Sequence, residues 1–426
     1  MRHFYLLLLF FPFLGQAQTY TSSFTGSTSD YDTTGQSGIC MMGGATEHDS
    51  AMVWFLERAN QGDVLVLRTS GSDGYNDYMF NQLGVTLNSV ETIVCNSPAA
   101  SSEAYVQQAV QDAEAIWFAG GDQWNYISYW RNTLIEDYIN DGIQNKGLVV
   151  GGTSAGMAIQ GGYYFSAENG TVTSAQALAD PYNIDMTVDN EPFINHSILA
   201  DVITDTHYDD PDRKGRHLSF LARVAQDDGN FIKGIACNEY TAVCVDENGL
   251  AAVYGDYPNY DEFAYFLQYN CDSQSPFPEN CQSGQPLDWN GNEEAVRVYK
   301  VPGTNSGTNN FNIQFWNVGS GGTWHNWWAE NGTFNEAVGS PLSCLGGIEI
   351  EQIDSEIYPN PAVNSINFES SIKSYSITNS IGQQIISAEN LAGLTSLDIT
   401  DLPAGLYFVE FTTSSDLTSR SSFIKK

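Results

Sequence analysis

The segment KGLVVGGTSAGMAIQGG, residues 146–162, carries the pattern that decides the fold. Its apolar start predicts a buried strand, the glycines before Thr153 and Ser154 predict a tight turn, and SAGMAIQ can begin a helix. Strand, turn and helix in this order lift a serine hydroxyl above the end of a sheet, where the next backbone N–H can help to form an oxyanion hole. The segment alone leaves three interpretations open: a nucleophile, a packing turn or a phosphate-binding turn.

Short apolar runs alternate with helix-like segments on both sides of this stretch. The runs GICMMGG, DVLVLRTSG, VETIVC and AIWFAGGD are separated by segments such as DSAMVWFLERAN and SSEAYVQQAVQDA. This alternation predicts an α/β fold with a parallel sheet covered by helices on both faces. In such sheets the loops at the carboxyl ends of strands form the active site, and residues 119–123 (AGGDQ) and 151–156 (GGTSAG) fall at such ends.

Composition divides the rest of the chain. Residues 18–37 are rich in Ser and Thr and predict an exposed lead-in, and residues 38–345 form the predicted catalytic domain. Within it, residues 256–345 read as an irregular aromatic extension, whose Trp324, Trp327 and Trp328 are expected to close a domain edge rather than to stack on a sugar. Residues 350–426 contain short alternating strands with Pro, Asn and Gly turns, which predicts a small β-sandwich.

The N-terminus and the charge limit the protein's surroundings and partners. Residues 1–17 have the layout of a signal peptide, and no later stretch is apolar for long enough to span a membrane. Sixteen basic residues face fifty-one acidic ones, which gives a formal net charge of -35. Because phosphate binding depends on Lys and Arg, we exclude nucleic acid and anionic lipid as main partners.

Seven cysteines are compatible with export but do not define a disulfide framework. Cys271 and Cys281 bracket a polar loop that a bridge between them would restrict, although pairing cannot be read from sequence. Four others lie in apolar strand-like runs, where a buried free thiol is expected: Cys40, Cys95, Cys237 and Cys244. None of the spacings is that of a zinc site.

A nucleophilic serine needs a base, and His207 is the best candidate among six histidines. It follows an apolar run and precedes a predicted helix, whereas His48 resembles a helix-start residue and His196 and His217 lie in apolar surroundings. In that helix Arg213 and Arg216 are three residues apart and are expected to share a face. Paired guanidinium groups suit a substrate with carboxylates, although a solvated basic turn is the alternative.

Ordered motifs between residues 36 and 255 resemble the cyanophycinase branch of the serine peptidases related to aspartyl dipeptidase. The matching motifs are GGA at 43–45, AGGDQ at 119–123, GGTSAG at 151–156, DTHYDDPDRKGR at 205–216 and CNEYTAV at 237–243. The resemblance implies a flavodoxin-like, class I glutamine-amidotransferase-like parallel sheet. It also implies a Ser-His-Glu triad that works without a metal or organic cofactor.

The resemblance assigns roles residue by residue. Ser154 becomes the nucleophile, His207 the general base and Glu239 the residue that orients the imidazole. Further matches give two oxyanion-hole donors and four substrate-binding residues: Gly121 and Ala155, then Gln123, Asp205, Arg213 and Arg216. The chain departs from the family pattern at Thr206, where a glutamine is expected, and at Pro211, where an arginine is expected, and both changes concern substrate recognition.

The last part of the chain is similar to another family. YPNP at 358–361, the strand AGLYFVEF at 404–411 and the basic terminus resemble the C-terminal sorting domain of the type IX secretion system, with a terminal adhesion module as the alternative. The resemblance implies export through the periplasm and outer membrane, with the secretion machinery as a partner. The mature protein would be secreted or attached to the cell surface.

Taken together, the residues and resemblances predict a secreted serine hydrolase that cleaves an amide next to aspartate through an acyl-enzyme. The expected substrate is a peptide or isopeptide, with β-aspartyl-arginine bonds of the cyanophycin type preferred. One alternative is an aspartyl or isoaspartyl dipeptidase, and another is a surface binding protein that has lost turnover. A homodimer stays open.

Overall fold

A computed structural model describes residues 18–273, 276–343, 357–379, 384–388, 393–413 and 418–426. The chain forms two compact units, the first ending at Pro341 and the second beginning at Leu342. The predicted signal peptide, residues 1–17, lies outside the described residues. Within the described ranges, no helix has the length and apolar character needed to cross a bilayer.

The larger sheet of the first unit is mixed, with a parallel centre. Its described strands follow the order β1 (Tyr20–Gly26), β4 (Ser89–Cys95), β3 (Asp63–Arg68), β5 (Ala115–Phe118), β6 (Val149–Thr153), β2 (Gly38–Met42), β11 (Ala242–Val245), β12 (Leu250–Tyr254), β15 (Asn309–Asn312) and β16 (Val318–Ser320). The block from β4 to β2 is parallel. β1 at one edge and β11 to β16 at the other pair antiparallel to their neighbours.

Helices cover both faces of this sheet, as the sequence predicts. They are α1 (Asp49–Glu57), α2 (Gly74–Asp77), α3 (Ala104–Asp112), α4 (Gln123–Trp130), α5 (Leu134–Asp141) and α6 (Ala155–Ala158). Two further helices, α7 (Ser174–Ala179) and α8 (Lys214–Asp228), pack together against a second sheet. Successive residues of β3 point to opposite faces, so Val64 packs with Phe55 of α1 while Leu65 packs with Val106 of α3. The predicted fold class, a flavodoxin-like α/β sheet with helices on both faces, is confirmed.

A second sheet completes the first unit. Its described strands follow the order β18 (Thr333–Val338), β17 (Thr323–Glu330), β14 (Val296–Pro302), β13 (Phe263–Tyr269), β10 (Lys233–Cys237) and β9 (Val202–Asp205). β9 and β10 are parallel, and the remaining pairs are antiparallel. A separate ribbon pairs β7 (Tyr164–Phe165) with β8 (Val188–Asp189).

The extension predicted to be irregular is therefore built largely of strands. It supplies β13, β14, β17 and β18 to the second sheet, and β15 and β16 to the first. The aromatic runs conceal the strand pattern because several of these residues are buried between layers. Trp327 and Trp328 belong to the core that α8 packs against, so they do not form an exposed platform for a sugar.

Two further expectations about the first unit need correction. Residues 20–26, expected to be part of an exposed lead-in, form edge strand β1, because main-chain pairing with β4 does not require apolar side chains. Cys271 is disulfide-bonded, but Cys281 is a free thiol buried in the core near Trp289, so these two cysteines are not bridged to each other. The four cysteines expected to be buried free thiols are all buried, and none of them is bridged in this structure.

The second unit is an antiparallel sheet that curls into a sandwich-like domain. Its described strands are β19 (Ser365–Asn379), β20 (Gln384–Ala388), β21 (Leu394–Asp398), β22 (Gly405–Thr413) and β23 (Thr418–Lys425). The long β19 pairs with β21 near its start and with β22 and β20 further along. This change of partner along one strand lets Ile366, Phe411 and Phe423 contribute to one small core.

Candidate active site

Three polar side chains follow strands at the carboxyl ends of the two sheets in the first unit. Ser154 comes directly after β6 of the larger sheet, while His207 and Glu239 come two residues after β9 and β10 of the smaller sheet. β10 leads through a short loop into β11, which pairs with β2 next to β6. The chain thus joins the two sheets at the place where these side chains meet.

Ser154 lies on a strained turn between β6 and α6. Its φ of 52° and ψ of -114° are unusual for a residue with a side chain. Close packing of the turn requires glycine on both sides: a Cβ atom at Gly152 would lie 2.6 Å from the carbonyl carbon of Gly156, and one at Gly156 would lie 2.0 Å from the backbone oxygen of Phe118. The two glycines let α6 start close against the sheet and aim the serine hydroxyl outward.

A hydrogen-bonded relay connects Ser154, His207 and Glu239. The distance from His207 Nε2 to Ser154 Oγ is 2.7 Å, and that from His207 Nδ1 to Glu239 Oε1 is 2.6 Å. The side chains of His207 and Glu239 are each 24% exposed, so the relay is partly shielded from water but reachable. When Nδ1 carries the ring proton and its N–H donates a hydrogen bond to the carboxylate, Nε2 has a free lone pair that can accept the serine proton. The three residues expected to form a triad are thus brought together.

Gly43 and Gly44 position the imidazole. The backbone N–H of His207 donates to the Gly43 oxygen at 2.7 Å, and a Cβ atom at Gly44 would lie 2.3 Å from His207 Cε1. The Gly44 oxygen in turn accepts from the N–H of Tyr240 at 3.1 Å, directly after Glu239. The residues that follow β2 therefore position both His207 and the loop of Glu239. The sequence marks this place only as a pair of glycines after an apolar run.

A second contact that positions Glu239 was not predicted. The backbone N–H of Glu239 donates to Asp209 Oδ1 at 2.9 Å. His207 and Tyr240 both have positive φ, 46° and 59°, so the backbone is sharply turned on both sides of the carboxylate–imidazole contact. The aspartates that follow His207 in the sequence are the signal that could have pointed to Asp209. The sequence does not show which of them contacts Glu239.

The two residues expected to donate to the oxyanion, Ala155 and Gly121, differ in how close they lie to Ser154. Ala155 is the first residue of α6, so its N–H has no acceptor within that helix. In the AGGDQ loop, the glycine that lies next to Ser154 is Gly120, because a Cβ atom there would be 3.7 Å from Ser154 Cβ. A Cβ atom at Gly121 would instead lie 3.2 Å from the Tyr126 hydroxyl. The role of the Gly121 N–H stays a prediction.

Asp205 and Arg216 form an interior ion pair, which changes the role expected for both. Asp205 is 2% exposed and Arg216 is 3% exposed, and Arg216 Nε donates to Asp205 Oδ2 at 2.9 Å. Burial alone would raise the pKa of the Asp205 carboxyl, but the Arg216 guanidinium holds that pKa below its usual range. Arg216 also donates to Thr171 Oγ1 and the Val172 oxygen, both at 3.3 Å. These two residues therefore hold elements together instead of presenting their charges to a substrate.

Arg213 differs from Arg216, although the two were expected to share a face. α8 begins at Lys214, which leaves Arg213 outside the helix and turns Arg216 into the core. Arg213 Nη1 donates to the Thr206 backbone oxygen at 3.0 Å, and no carboxylate of the described residues forms an ion pair with it. Burial and, to a lesser degree, Arg216 lower the pKa of Arg213 to about 10. Arg213 is a partly buried cation near the relay.

The remaining candidates have structural contacts. Gln123 starts α4 and its amide donates to the Phe165 oxygen at 2.6 Å, so its substrate role stays a prediction. His48 precedes α1, and His196 contacts Gln160 in the interior. In the parts of the chain that are described, no group of three or more His, Cys, Asp or Glu side chains is arranged to hold a metal ion.

Two family models match the chain. Residues 73–253 match peptidase family S51, a range that contains all three residues of the relay. Residues 356–426 match the secretion system C-terminal sorting domain, which implies export by the type IX system and secretion or attachment at the cell surface. The resemblance to cyanophycinase-like peptidases and to the sorting domain is confirmed by these matches.

Individual relatives are distant and match only in part. The cyanophycinases of Trichormus variabilis and Nostoc sp. are each 23% identical over 177 residues, which is 42% of this chain and 53% of theirs. The cyanophycinase of Geminocystis herdmanii is 28% identical over 116 residues, 27% of this chain and 39% of its own. The chain spans about half the length of the first two relatives. These similarities support a peptidase.

Two solved structures are similar at a low level. A peptidase from an acI-B1 Actinobacterium is 16% identical with a TM-score of 0.39, covering 52% of this chain and 88% of its own. A putative peptidase E protein from Listeria monocytogenes EGD-e is 14% identical with a TM-score of 0.33, covering 51% of this chain and 97% of its own.

Proposed function

We propose that this protein is an exported serine hydrolase that cleaves an amide bond next to aspartate through an acyl-enzyme. The observation that carries the proposal is the relay in which His207 contacts both Ser154 Oγ, at 2.7 Å, and Glu239 Oε1, at 2.6 Å. A serine hydroxyl is a weak nucleophile until a positioned base takes its proton, and the base in turn needs a group that fixes its tautomer. The three side chains satisfy both requirements.

The reaction follows from the positions of these groups. Ser154 Oγ attacks the carbonyl carbon while its proton moves to His207 Nε2, and the Glu239 carboxylate stabilises the imidazolium that forms. Backbone N–H groups of Ala155 and of the 120–121 loop stabilise the developing oxyanion. His207 then gives the proton to the leaving amine, and a water molecule resolves the ester by the reverse sequence. No residue of this scheme needs a cofactor.

Arg213 supports a substrate that carries a free carboxylate near the scissile bond. It is a partly buried cation without a carboxylate partner among the described residues, and it is held next to His207 by its bond to Thr206. Such a guanidinium stabilises an incoming carboxylate more strongly than an exposed one would. A β-aspartyl linkage leaves the α-carboxylate of its aspartate free, so we favour β-aspartyl-arginine isopeptides, the substrate class implied by the resemblance to cyanophycinases.

Thr206 and Pro211 replace a glutamine and an arginine of the family pattern. Both positions concern substrate recognition, so the substrate can differ from that of the relatives while the chemistry stays the same. An aspartyl or isoaspartyl dipeptidase uses the same relay and the same Arg213. A binding protein without turnover would keep the fold and would not need a serine in contact with a base.

Labelling with a fluorophosphonate probe tests the chemistry separately from the substrate. We expect the full chain to form a covalent adduct at Ser154 and the Ser154→Ala variant, with native circular dichroism, to form none. A panel of β-aspartyl-arginine, α-aspartyl-arginine and cyanophycin then tests the substrate, with a kcat/KM for the β-linked dipeptide at least about tenfold higher than for the α-linked one. Absence of labelling would refute the hydrolase, whereas labelling with equal cleavage of both isomers would refute only the isopeptide preference.

For export, we propose that residues 350–426 direct the first unit through the periplasm and across the outer membrane. The match of residues 356–426 to the sorting domain supports this route. After export, the domain would be removed, or the first unit would be attached at the cell surface.

A further inference from the structure

Two buried thiols are in contact beneath the candidate active site. Cys244 Sγ and Cys40 Sγ are 3.6 Å apart, and both residues are fully buried. They lie on β11 and β2, two antiparallel strands of the larger sheet in which Cys244 is directly opposite Cys40. Two cysteines separated by 204 positions in the sequence are thus cross-strand neighbours.

The register places them at the kind of position where a disulfide can form. The N–H of Gly43 donates to the Thr241 oxygen at 3.0 Å, which makes Gly43 and Thr241 a hydrogen-bonded pair. Such pairs alternate with non-hydrogen-bonded pairs, so the pair three positions along, Cys40 with Cys244, is of the second type. In that type the Cα atoms are only about 4.5 Å apart and the side chains lie closer together. This separation falls inside the range that disulfides occupy.

We propose that Cys40 and Cys244 form a cross-strand disulfide in the exported protein. The sorting domain implies an extracellular destination, and Cys271 of the same unit is already in a disulfide. Both facts are typical of proteins that fold in an oxidising environment.

The cross-link forms by thiol–disulfide exchange with an oxidising disulfide, such as that of an oxidoreductase or of glutathione. One cysteine thiolate attacks the disulfide and releases a first thiolate, and the mixed disulfide is then attacked by the second cysteine. The products are one Cys40–Cys244 bond and two reduced thiols, which take up the two protons that the cysteines lost.

Burial sets when this exchange can occur. Burial raises the pKa of the Cys244 thiol well above its usual value, so the thiolate needed for attack is scarce once the sheet is complete. Exchange therefore precedes closure of the core, while β2 and β11 are pairing. In the folded protein the bond is then protected from reducing agents by the same burial.

The proposed Cys40–Cys244 bond would join the two strands next to the candidate active site. β2 ends just before the glycines that hold His207 and Tyr240, and β11 begins two residues before Cys244, just after the loop of Glu239. A covalent link between these strands ties the support of the base to the support of the acid. Cys237 is the natural comparison because it is also buried, but its thiol donates to the Met41 oxygen at 4.0 Å and lies on β10 of the other sheet.

Peptide mapping of the exported full-length protein tests the proposal. Cells are quenched with iodoacetamide at harvest, and the protein is digested without reduction and analysed by mass spectrometry. We expect a linked pair of peptides that contains Cys40 and Cys244, with Cys237 alkylated. Alkylation of both Cys40 and Cys244 under denaturing conditions, or a link from either of them to Cys237, would overturn the proposal.

Thermal unfolding provides a second, independent measurement. The parent is unfolded in urea with reductant and refolded in its presence, so that the buried bond is opened. This treatment should lower the Tm of the parent by roughly 5 °C or more beyond any fall seen for the Cys244→Ala variant, because the link closes a long loop. The matched Cys237→Ala variant should respond to reduction as the parent does. Equal responses of the parent and of Cys244→Ala would show that no such bond stabilises the protein. If Cys244→Ala does not fold, the peptide map of the parent decides alone.

Discussion

Gly44 lies against the imidazole of His207 so closely that a Cβ atom at this position would be 2.3 Å from Cε1. The contact joins the end of the first parallel strand to a residue that follows the smaller sheet. It also coincides with a φ of +130° at Gly44, which side chains rarely allow. The backbone at Gly44 thus limits the position of the His207 imidazole in the absence of substrate.

Gly44→Ala is therefore expected to lower kcat/KM by about 100-fold or more, because a displacement of about 1 Å in the base spoils attack geometry. Rates of fluorophosphonate labelling and of dipeptide cleavage would be compared with circular dichroism spectra. Gly74→Ala is the matched control, since a Cβ atom there meets nothing within 4 Å. Wild-type rates in Gly44→Ala would show that the contact does not position His207.

Glu239→Gln tests the charge of the third residue while keeping its size. An amide oxygen can still accept from Nδ1–H but cannot stabilise the imidazolium, so we expect kcat to fall by about two to four orders of magnitude. Steady-state kinetics with unchanged thermal stability would support the assignment. A normal rate would direct attention to Asp209, whose side chain accepts from the Glu239 N–H.

We expect replacement of Arg216 to lower stability and replacement of Arg213 to weaken substrate binding. Arg216→Met leaves Asp205 buried without its counter-ion and should lower the free energy of unfolding by about 3–5 kcal/mol. Arg213→Met should leave stability nearly unchanged and raise KM for substrates with a free carboxylate, with little change in probe labelling. Urea denaturation and dipeptide kinetics on both variants check this. A stable Arg216→Met protein with raised KM would restore its expected role in substrate binding.

Two interior histidines predict acid sensitivity. Burial lowers the pKa of His196 to about 3, and that of His217, with burial as the main cause, to about 4. An unfolded histidine titrates near pH 6.5, so below that pH the unfolded chain binds protons that the folded chain does not. The stability is complete above about pH 6.5 and falls by about 1.4 kcal/mol per pH unit for each histidine as pH drops toward its folded pKa.

Urea denaturation at pH 7.5, 6.5, 5.5 and 4.5, compared between the parent and His196→Gln, isolates one of these protons. Glutamine keeps a polar partner for Gln160, which contacts His196 Nε2 at 3.0 Å. The slope of stability against pH should fall by about 1.4 kcal/mol per pH unit in the variant. Identical slopes would mean that His196 is protonated in the fold.

Removal of residues 350–426 is expected to leave an active first unit that stays inside the cell envelope. The chain divides into compact units at Pro341 and Leu342, so the first unit keeps its own cores. Activity would be assayed in the medium, on the cell surface and in the periplasm. The full chain with Ser154→Ala serves as control, since it should be exported without activity. Unchanged export of the truncated chain would refute the sorting role.

The residues of the relay could be predicted because each follows an apolar run at the end of a strand, where α/β sheets place reactive groups. The contact of Gly44 with His207 could not, since it depends on how two sheets meet. The interior position of Arg216 was not predicted, because the sequence suggested a helix starting before Arg213 with both arginines on one face. With the start at Lys214, a shift of a few residues turns Arg216 toward the core.

The strands within residues 256–338 could not be predicted from the sequence pattern either. Their strands mix Tyr, Trp, Asn and Gly, so the alternation of apolar and polar positions is weak. Pairing is instead specified by partners far along the chain, such as Val298 opposite His325. Local propensity does not contain that information.

Because the relay is divided between two sheets, its assembly depends on the order in which the chain is made. A nascent chain that has emerged only to residue 255 already contains Ser154, His207 and Glu239, yet β10 still lacks β13 beside it, and β14 and β17 are missing from the core that α8 needs. Ser154 would be in place while the strands that position His207 were incomplete. The contacts among Ser154, His207 and Glu239 are therefore expected to be complete only after the last strands of the first unit have been made.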